Sequence, residues 1–177
     1  MASAIVFHRI RADPLSAAAF IIAAAAAMTL AGAWFFELVL GLEPCPLCLD
    51  QRIPYYIAVP LGLAIGLVAR NKAGNRSARI GLILLGTVLL VGAGYGVYHS
   101  GVEWGFWEGP ASCAAGSRRP PAGDILSSLK TTARVVPCTE AAWRFLGLSL
   151  AGYNFLIAGA LAALALWAAL ARTARSA

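Results

Sequence analysis

Glu43-Pro-Cys-Pro-Leu-Cys-Leu-Asp-Gln-Arg52, running straight into the apolar stretch Ile53–Ala69, decides how this chain is read. It joins a Cys-x-x-Cys pair, Cys45 and Cys48, to a guanidinium one helical turn later and then to a hydrophobic segment. A helix needs about 20 residues to cross the hydrocarbon core of a bilayer. Ile53 to Ala69 falls short of that, so the helix is expected to begin inside the motif, near residue 47, with Cys48 at its N-terminus. Helix N-termini and neighbouring cations favour the thiolate form of cysteine. Arg52, four residues after Cys48, projects from the same helix face. The stretch reads as thiol chemistry placed where a membrane begins.

Further apolar runs lie on either side. Together they occupy roughly residues 15–40, 47–69, 80–98 and 145–170. The chain is 60% hydrophobic and only 12% charged, against about 45–50% and about 25% in soluble domains. The sequence therefore predicts an all-α fold, an integral membrane four-helix bundle forming one domain over residues 1–177. The net charge of +6 does not point to nucleic acid, because the basic residues sit in short clusters between apolar runs. Gly62-x-x-x-Gly66 and Gly92-x-x-x-Gly96 carry the small-residue spacing that lets helices approach closely in lipid. Pro54 and Pro60 predict kinks or local unwinding in the second span.

Loop charges set the expected orientation. Arg9 and Arg11 precede the first span, Arg70, Lys72, Arg76 and Arg79 lie between the second and third, and Arg172 and Arg175 follow the fourth. Both termini and the 70–79 loop are thus expected to be cytoplasmic. Loops 41–46 and 99–144, with all four cysteines, are expected outside. A cleaved signal peptide is the rival for the first segment, but its apolar run exceeds the about 7–15 residues of such peptides. Within 99–144, Trp104, Phe106 and Trp107 suggest an interfacial aromatic belt. Residues 116–121 read as a loop, and Asp124 suits the cap of a short helix to about Thr132, lying on the membrane through Ile125, Leu126 and Leu129.

Outward cysteines occupy an oxidising compartment, so pairing is expected. Cys45 with Cys48 and Cys113 with Cys138 is the most economical of three connectivities. A Cys-x-x-Cys bridge closes too small a loop to be a useful staple, which favours a redox role for Cys45 and Cys48. On spacing alone, Cys113–Cys138 favours a structural bridge. Zinc is not expected, since its sites combine two close knuckles and the second pair is widely spaced. Arg52 near a span end must snorkel, pair or serve a site; Glu37, near the outer end of the first span, is a candidate partner. His99, leaving the third span, reads by itself as a solvated interfacial histidine.

These residues resemble the DsbB family of bacterial disulfide-bond formation proteins. The likeness rests on Trp34-Phe35, the Glu43–Arg52 motif, Tyr98-His99, Cys113 and the run Cys138-Thr-Glu-Ala-Ala-Trp-Arg-Phe-Leu-Gly-Leu148. It implies a bacterial inner-membrane protein that reoxidises a DsbA-like periplasmic thioredoxin-fold partner and reduces a membrane quinone, ubiquinone or menaquinone. It implies that Cys113 forms the mixed disulfide with that partner and that Cys138 is bonded to Cys113. Cys45 would exchange through a transient Cys45–Cys138 bridge, and Cys48 would be the thiolate meeting the quinone. Arg52 matches the position that supports quinone binding, and His99 one near the quinone. Gln51 stands where some members have glutamate and is assigned no role. Two alternatives are a reductase of the vitamin K epoxide reductase type, whose motif lies late in the chain, and a membrane scaffold with structural disulfides.

Overall fold

The computed structural model describes residues 14–71, 75–114 and 137–171. Its elements are α1 (Pro14–Leu38), α2 (Pro46–Asp50), α3 (Ile53–Ala69), α4 (Asn75–Glu103), α5 (Ala111–Ala114), β1 (Arg144–Phe145), β2 (Leu148–Ser149) and α6 (Leu150–Leu170). Four helical segments are long and apolar enough to cross a membrane, and α2 with α3 counts as one of them, Pro46–Ala69, 24 residues. The second span thus opens inside the cysteine motif, as its length required.

Proline chemistry explains the step between α2 and α3. Pro54 has no N–H to give the carbonyl of Asp50, and its ring crowds that carbonyl. The ladder is interrupted there and closes as tight turns, with Arg52 N–H on Leu49 O at 3.0 Å and Tyr55 N–H on Arg52 O at 3.1 Å. Pro60 lies within α3 and does not break it. Of the expected kinks or local unwinding, the interruption is seen at Pro54.

Two span boundaries differ from the sequence expectation. The third helix is longer at both ends than 80–98, covering Asn75–Glu103. Its polar ends carry no apolar signal, so hydropathy undercounts it. His99 and Glu103 consequently lie on helix rather than loop. The fourth helix starts at Leu150 instead of about 145. The apolar residues before it form a hairpin, Arg144 opposite Ser149 and Phe145 opposite Leu148. Leu146 and Gly147 turn it at φ 50° and 83°, a conformation suited to two-residue hairpins. Ser149 then caps α6, its Oγ accepting Gly152 N–H at 3.2 Å. The surface helix expected at 124–132 and the loop at 116–121 lie outside the described residues.

The helices pack in a ring in which α1 meets α3, α3 meets α4, α4 meets α6, and α6 returns to α1. The interior is rich in alanine, including Ala19, Ala26, Ala58, Ala158, Ala162 and Ala165, while Met28, Leu38 and Trp167 face outward. Large side chains outside and small ones inside suit a lipid solvent, where close backbone packing drives association. Both glycine pairs serve it. A Cβ on Gly62 would stand 3.0 Å from Ala19 O, and one on Gly96 would stand 2.8 Å from the Phe155 backbone nitrogen.

Hydrogen bonds tie the end of the bundle away from the cysteines. Arg79 donates to Ala169 O at 2.8 Å and Ala171 O at 2.9 Å, capping α6. Ser16 donates to Gly66 O at 3.0 Å. At the cysteine end, Trp104, Phe106 and Trp107 are exposed beside the end of α4.

Candidate functional site

Cys45, Leu47, Val102, Cys113 and Cys138 form a small buried cluster capping the bundle, with Cys48 packed against it. Cys113 and Cys138 are disulfide-bonded, with Cα atoms 5.3 Å apart. The Cys45 and Cys138 sulfurs and a ring nitrogen of His99 all lie within 4.8 Å of one another. The two pairs are therefore in reach for sulfur-to-sulfur exchange. The Cys138 sulfur of this trio is already bonded to Cys113.

Cys45 and Cys48 are free thiols here, the reduced form of the pair expected to bridge. The Cys45 sulfur has other partners. It caps α2 by accepting Cys48 N–H at 3.2 Å, and it lies 3.6 Å from His99 Nε2. The hydrogen bond from the Cys48 side chain, followed by that from His99, outweighs burial and lowers the Cys45 thiol from 9.0 to about 5. The Cys45 sulfur thus has two donors, Cys48 N–H and the His99 ring, that favour its thiolate.

His99 is buried, not solvated as expected of it alone. Gln51 is buried beside it, with its Nε2 2.7 Å from His99 Nδ1. The same amide nitrogen donates to Leu47 O at 3.2 Å. With its nitrogen oriented by that carbonyl, Gln51 donates to Nδ1, which leaves the imidazole hydrogen on Nε2. That hydrogen faces Cys45. Glu103, one helical turn after His99, has Oε1 3.8 Å from the same Nε2. Its Oε2 is buried without a hydrogen-bond partner.

Arg52 is paired. Its Nη1 donates to Glu37 Oε2 at 2.6 Å, with side chains 11% and 26% exposed, and its guanidinium stands 5.6 Å over the Trp34 ring. Trp34 is fixed in turn, donating to Tyr56 Oη at 3.1 Å. A cavity of about 430 Å³ opens beside this group. Cys48, Gln51, Arg52 and His99 give it a polar end, Glu43 and Asn154 also line it, and Leu30, Phe36 and Ile157 are among its apolar walls. Its volume is that of a small-ligand site. Cys48 lines it and Cys45 does not, so Cys48 faces the cavity while Cys45 backs onto Cys138.

Every site residue expected from the sequence converges here: Cys45, Cys48, Cys113 and Cys138 in the sulfur cluster, Arg52 and His99 at the cavity. Gln51 and Glu103 were missed. The signal for Glu103 was the spacing His99-x-x-x-Glu103, which becomes meaningful only once the helix is known to reach residue 103.

The sequence model of the family described as "Disulfide bond formation protein DsbB" matches residues 16–168. Proteins called "Disulfide bond formation protein B" are similar to the chain. The one from Methylococcus capsulatus is 35% identical over 152 residues, covering 80% of this chain and 87% of its own. The Marinobacter nauticus protein is 34% identical over 152 residues, covering 81% and 84%. The Albidiferax ferrireducens protein is 31% identical over 144 residues, covering 75% and 74%. No solved structure matches the chain.

Proposed function

The chain belongs to the DsbB family of disulfide bond formation proteins, and on that premise we propose that it reoxidises a DsbA-like periplasmic dithiol and passes the electrons to a membrane quinone. The observation that carries this is the division of labour between two adjacent cysteines. Cys48 opens onto the apolar cavity, while Cys45 sits against Cys138.

The relay follows from sulfur exchange. A thiolate of the partner attacks Cys113, breaking the Cys113–Cys138 bond and releasing Cys138 as a thiolate. Cys138 attacks Cys45 of an oxidised Cys45–Cys48 pair, and Cys48 leaves as a thiolate into the cavity. The partner's second thiolate breaks its mixed disulfide with Cys113 and departs oxidised. Cys113 then attacks Cys138, restoring the outer disulfide and expelling Cys45. The pocket that favours the Cys45 thiolate makes it a good leaving group in this last exchange. The outcome is an oxidised outer pair and a reduced inner pair, the redox arrangement that the structure holds.

The cavity residues suit a quinone head group: mostly apolar walls, one thiol, the Arg52 guanidinium paired with Glu37, and the Glu43 carboxyl. A bound quinone supplies an acceptor for two electrons and two protons. Arg52, held by Glu37 and Trp34, offsets negative charge at the polar end without rearranging. The apolar walls keep water away from the Cys48 sulfur. Loop charges favour the sulfur cluster on the periplasmic side of the inner membrane, with both termini and the Arg79 end of the bundle in the cytoplasm.

The test is steady-state turnover. Purified protein with a short-chain ubiquinone should oxidise a reduced DsbA-like protein. Unchanged activity in Cys48→Ser would rule the mechanism out.

A further inference from the structure

Glu103 is a buried carboxyl that the relay above does not use. Its Oε1 and the Cys45 sulfur stand almost equally far from one His99 nitrogen, 3.8 and 3.6 Å. Gln51 occupies the other ring nitrogen, so the neutral imidazole offers a single N–H to these two groups. One N–H serves one anion at a time. A buried anion without a donor is costly, and Glu103 Oε2 has no partner among the described residues. A small cavity of about 20 Å³ adjoins both groups, lined by Cys45, Cys48, His99, Glu103 and, from the loops, Glu43 and Glu140. That is room for about one water, with acidic groups at its mouth. These are the titratable groups that face Glu103 among the described residues. Glu43 and Glu140 are exposed, and the disulfide of Cys113 and Cys138 does not titrate.

We propose that Glu103 stores the proton of Cys45, so that the pocket carries one negative charge that moves between the Cys45 sulfur and the Glu103 carboxylate as the inner pair cycles between dithiol and disulfide. The inference rests on the redox relay proposed above but not on the identity of its acceptor. In the reduced pair Cys45 is a thiolate, Glu103 is protonated, and His99 Nε2–H points to sulfur. On oxidation the Cys48 S–H bond breaks, the Cys45–Cys48 bond forms, and two electrons leave for the acceptor. Two protons are released, one from Cys48 and one from Glu103. His99 Nε2–H then turns to the carboxylate. Glu103 acts on Cys45 through His99 and the small cavity, so it is a positioning and proton-storing residue rather than a catalytic one.

Infrared difference spectroscopy of the full-length protein at pH 7 tests this, comparing the inner pair reduced and oxidised in the absence of quinone. Wild type should show a protonated-carboxyl band in the reduced state that vanishes on oxidation. The band should be lost in Glu103→Gln, persist at a shifted position in Glu103→Asp, and be lost in Cys45→Ser. A wild-type spectrum without a redox-linked carboxyl band overturns the proposal, and so does a band that survives Glu103→Gln. Because no quinone takes part, failure of the quinone assay leaves this result independent, and the converse holds as well.

Discussion

Replacing His99 with Phe tests how the pocket sets the charge on Cys45. The ring volume is kept while both ring nitrogens are lost. In wild type the thiol is lowered from 9.0 to about 5, first by the Cys48 hydrogen bond and then by His99. At pH 7 a thiol titrating at about 5 is about 99% thiolate, and one at 9.0 is about 1%, a difference of about 100-fold in reactive population. Attack by Cys45 gains little from this. Intrinsic nucleophilicity falls with a slope of about 0.4–0.5 per unit, so four units offset about 40–100-fold. The gain survives where Cys45 leaves, because a less basic thiolate departs faster. In His99→Phe the midpoint should rise but stay below 9.0, since Cys48 still donates to the sulfur. Expulsion of Cys45 by Cys113 should slow, while attack by Cys45 should change little. Thiolate absorbance of the reduced protein, titrated against pH with alkylation of Cys45 followed by mass spectrometry, reads both. The sign is fixed by the direction of the shift. The thiolate stabilises the folded reduced chain fully above pH 9.0, and that contribution is lost as pH falls toward about 5. A wild-type midpoint near 9.0, or no movement in His99→Phe, would refute the reasoning.

Three further outcomes follow from the packing. Glu37→Gln removes the carboxylate holding Arg52, so the KM for a short-chain ubiquinone should rise more than kcat falls; equal losses in both would argue for a general structural role. Gly96→Leu places side-chain carbon against the Phe155 backbone, where neither helix can yield locally, and should cost about 1–3 kcal/mol in detergent unfolding. A Cys48→Ala, Cys113→Ala double variant leaves only Cys45 and Cys138, whose sulfurs are already within 4.8 Å with His99, and should form that bridge spontaneously in air; persistent free thiols would mean the two pairs do not exchange directly.

Much of the architecture was legible because lipid imposes simple rules. Span count followed from apolar length, and the start of the second span from a shortage of residues after Cys48. Gly62 and Gly96 fall where their spacing placed them, against the backbones of neighbouring helices. The Glu37–Arg52 pair could be considered because both residues sit at the same expected depth. What escaped was anything set by polar partners on different elements. His99 alone looks like an interfacial histidine; its burial depends on Gln51 from the α2–α3 step and on Cys45 before α2. Glu103 was hidden because hydropathy ends a helix where charge begins, whereas α4 runs on to residue 103. The hairpin before α6 was mistaken for helix because Phe145, Leu146 and Leu148 are apolar, and only the positive φ of Leu146 and Gly147 turns them.

The central claim is that Cys48 delivers the electrons of the inner pair into the apolar cavity. Anaerobic single-turnover mixing of protein reduced only at Cys45 and Cys48 with a short-chain ubiquinone measures it most directly, by counting ubiquinol formed and thiols lost. Wild type should yield one ubiquinol per chain while Cys45 and Cys48 become resistant to alkylation, and Cys48→Ser should yield none. Equal ubiquinol from Cys48→Ser, or thiols left reactive in wild type, would contradict it.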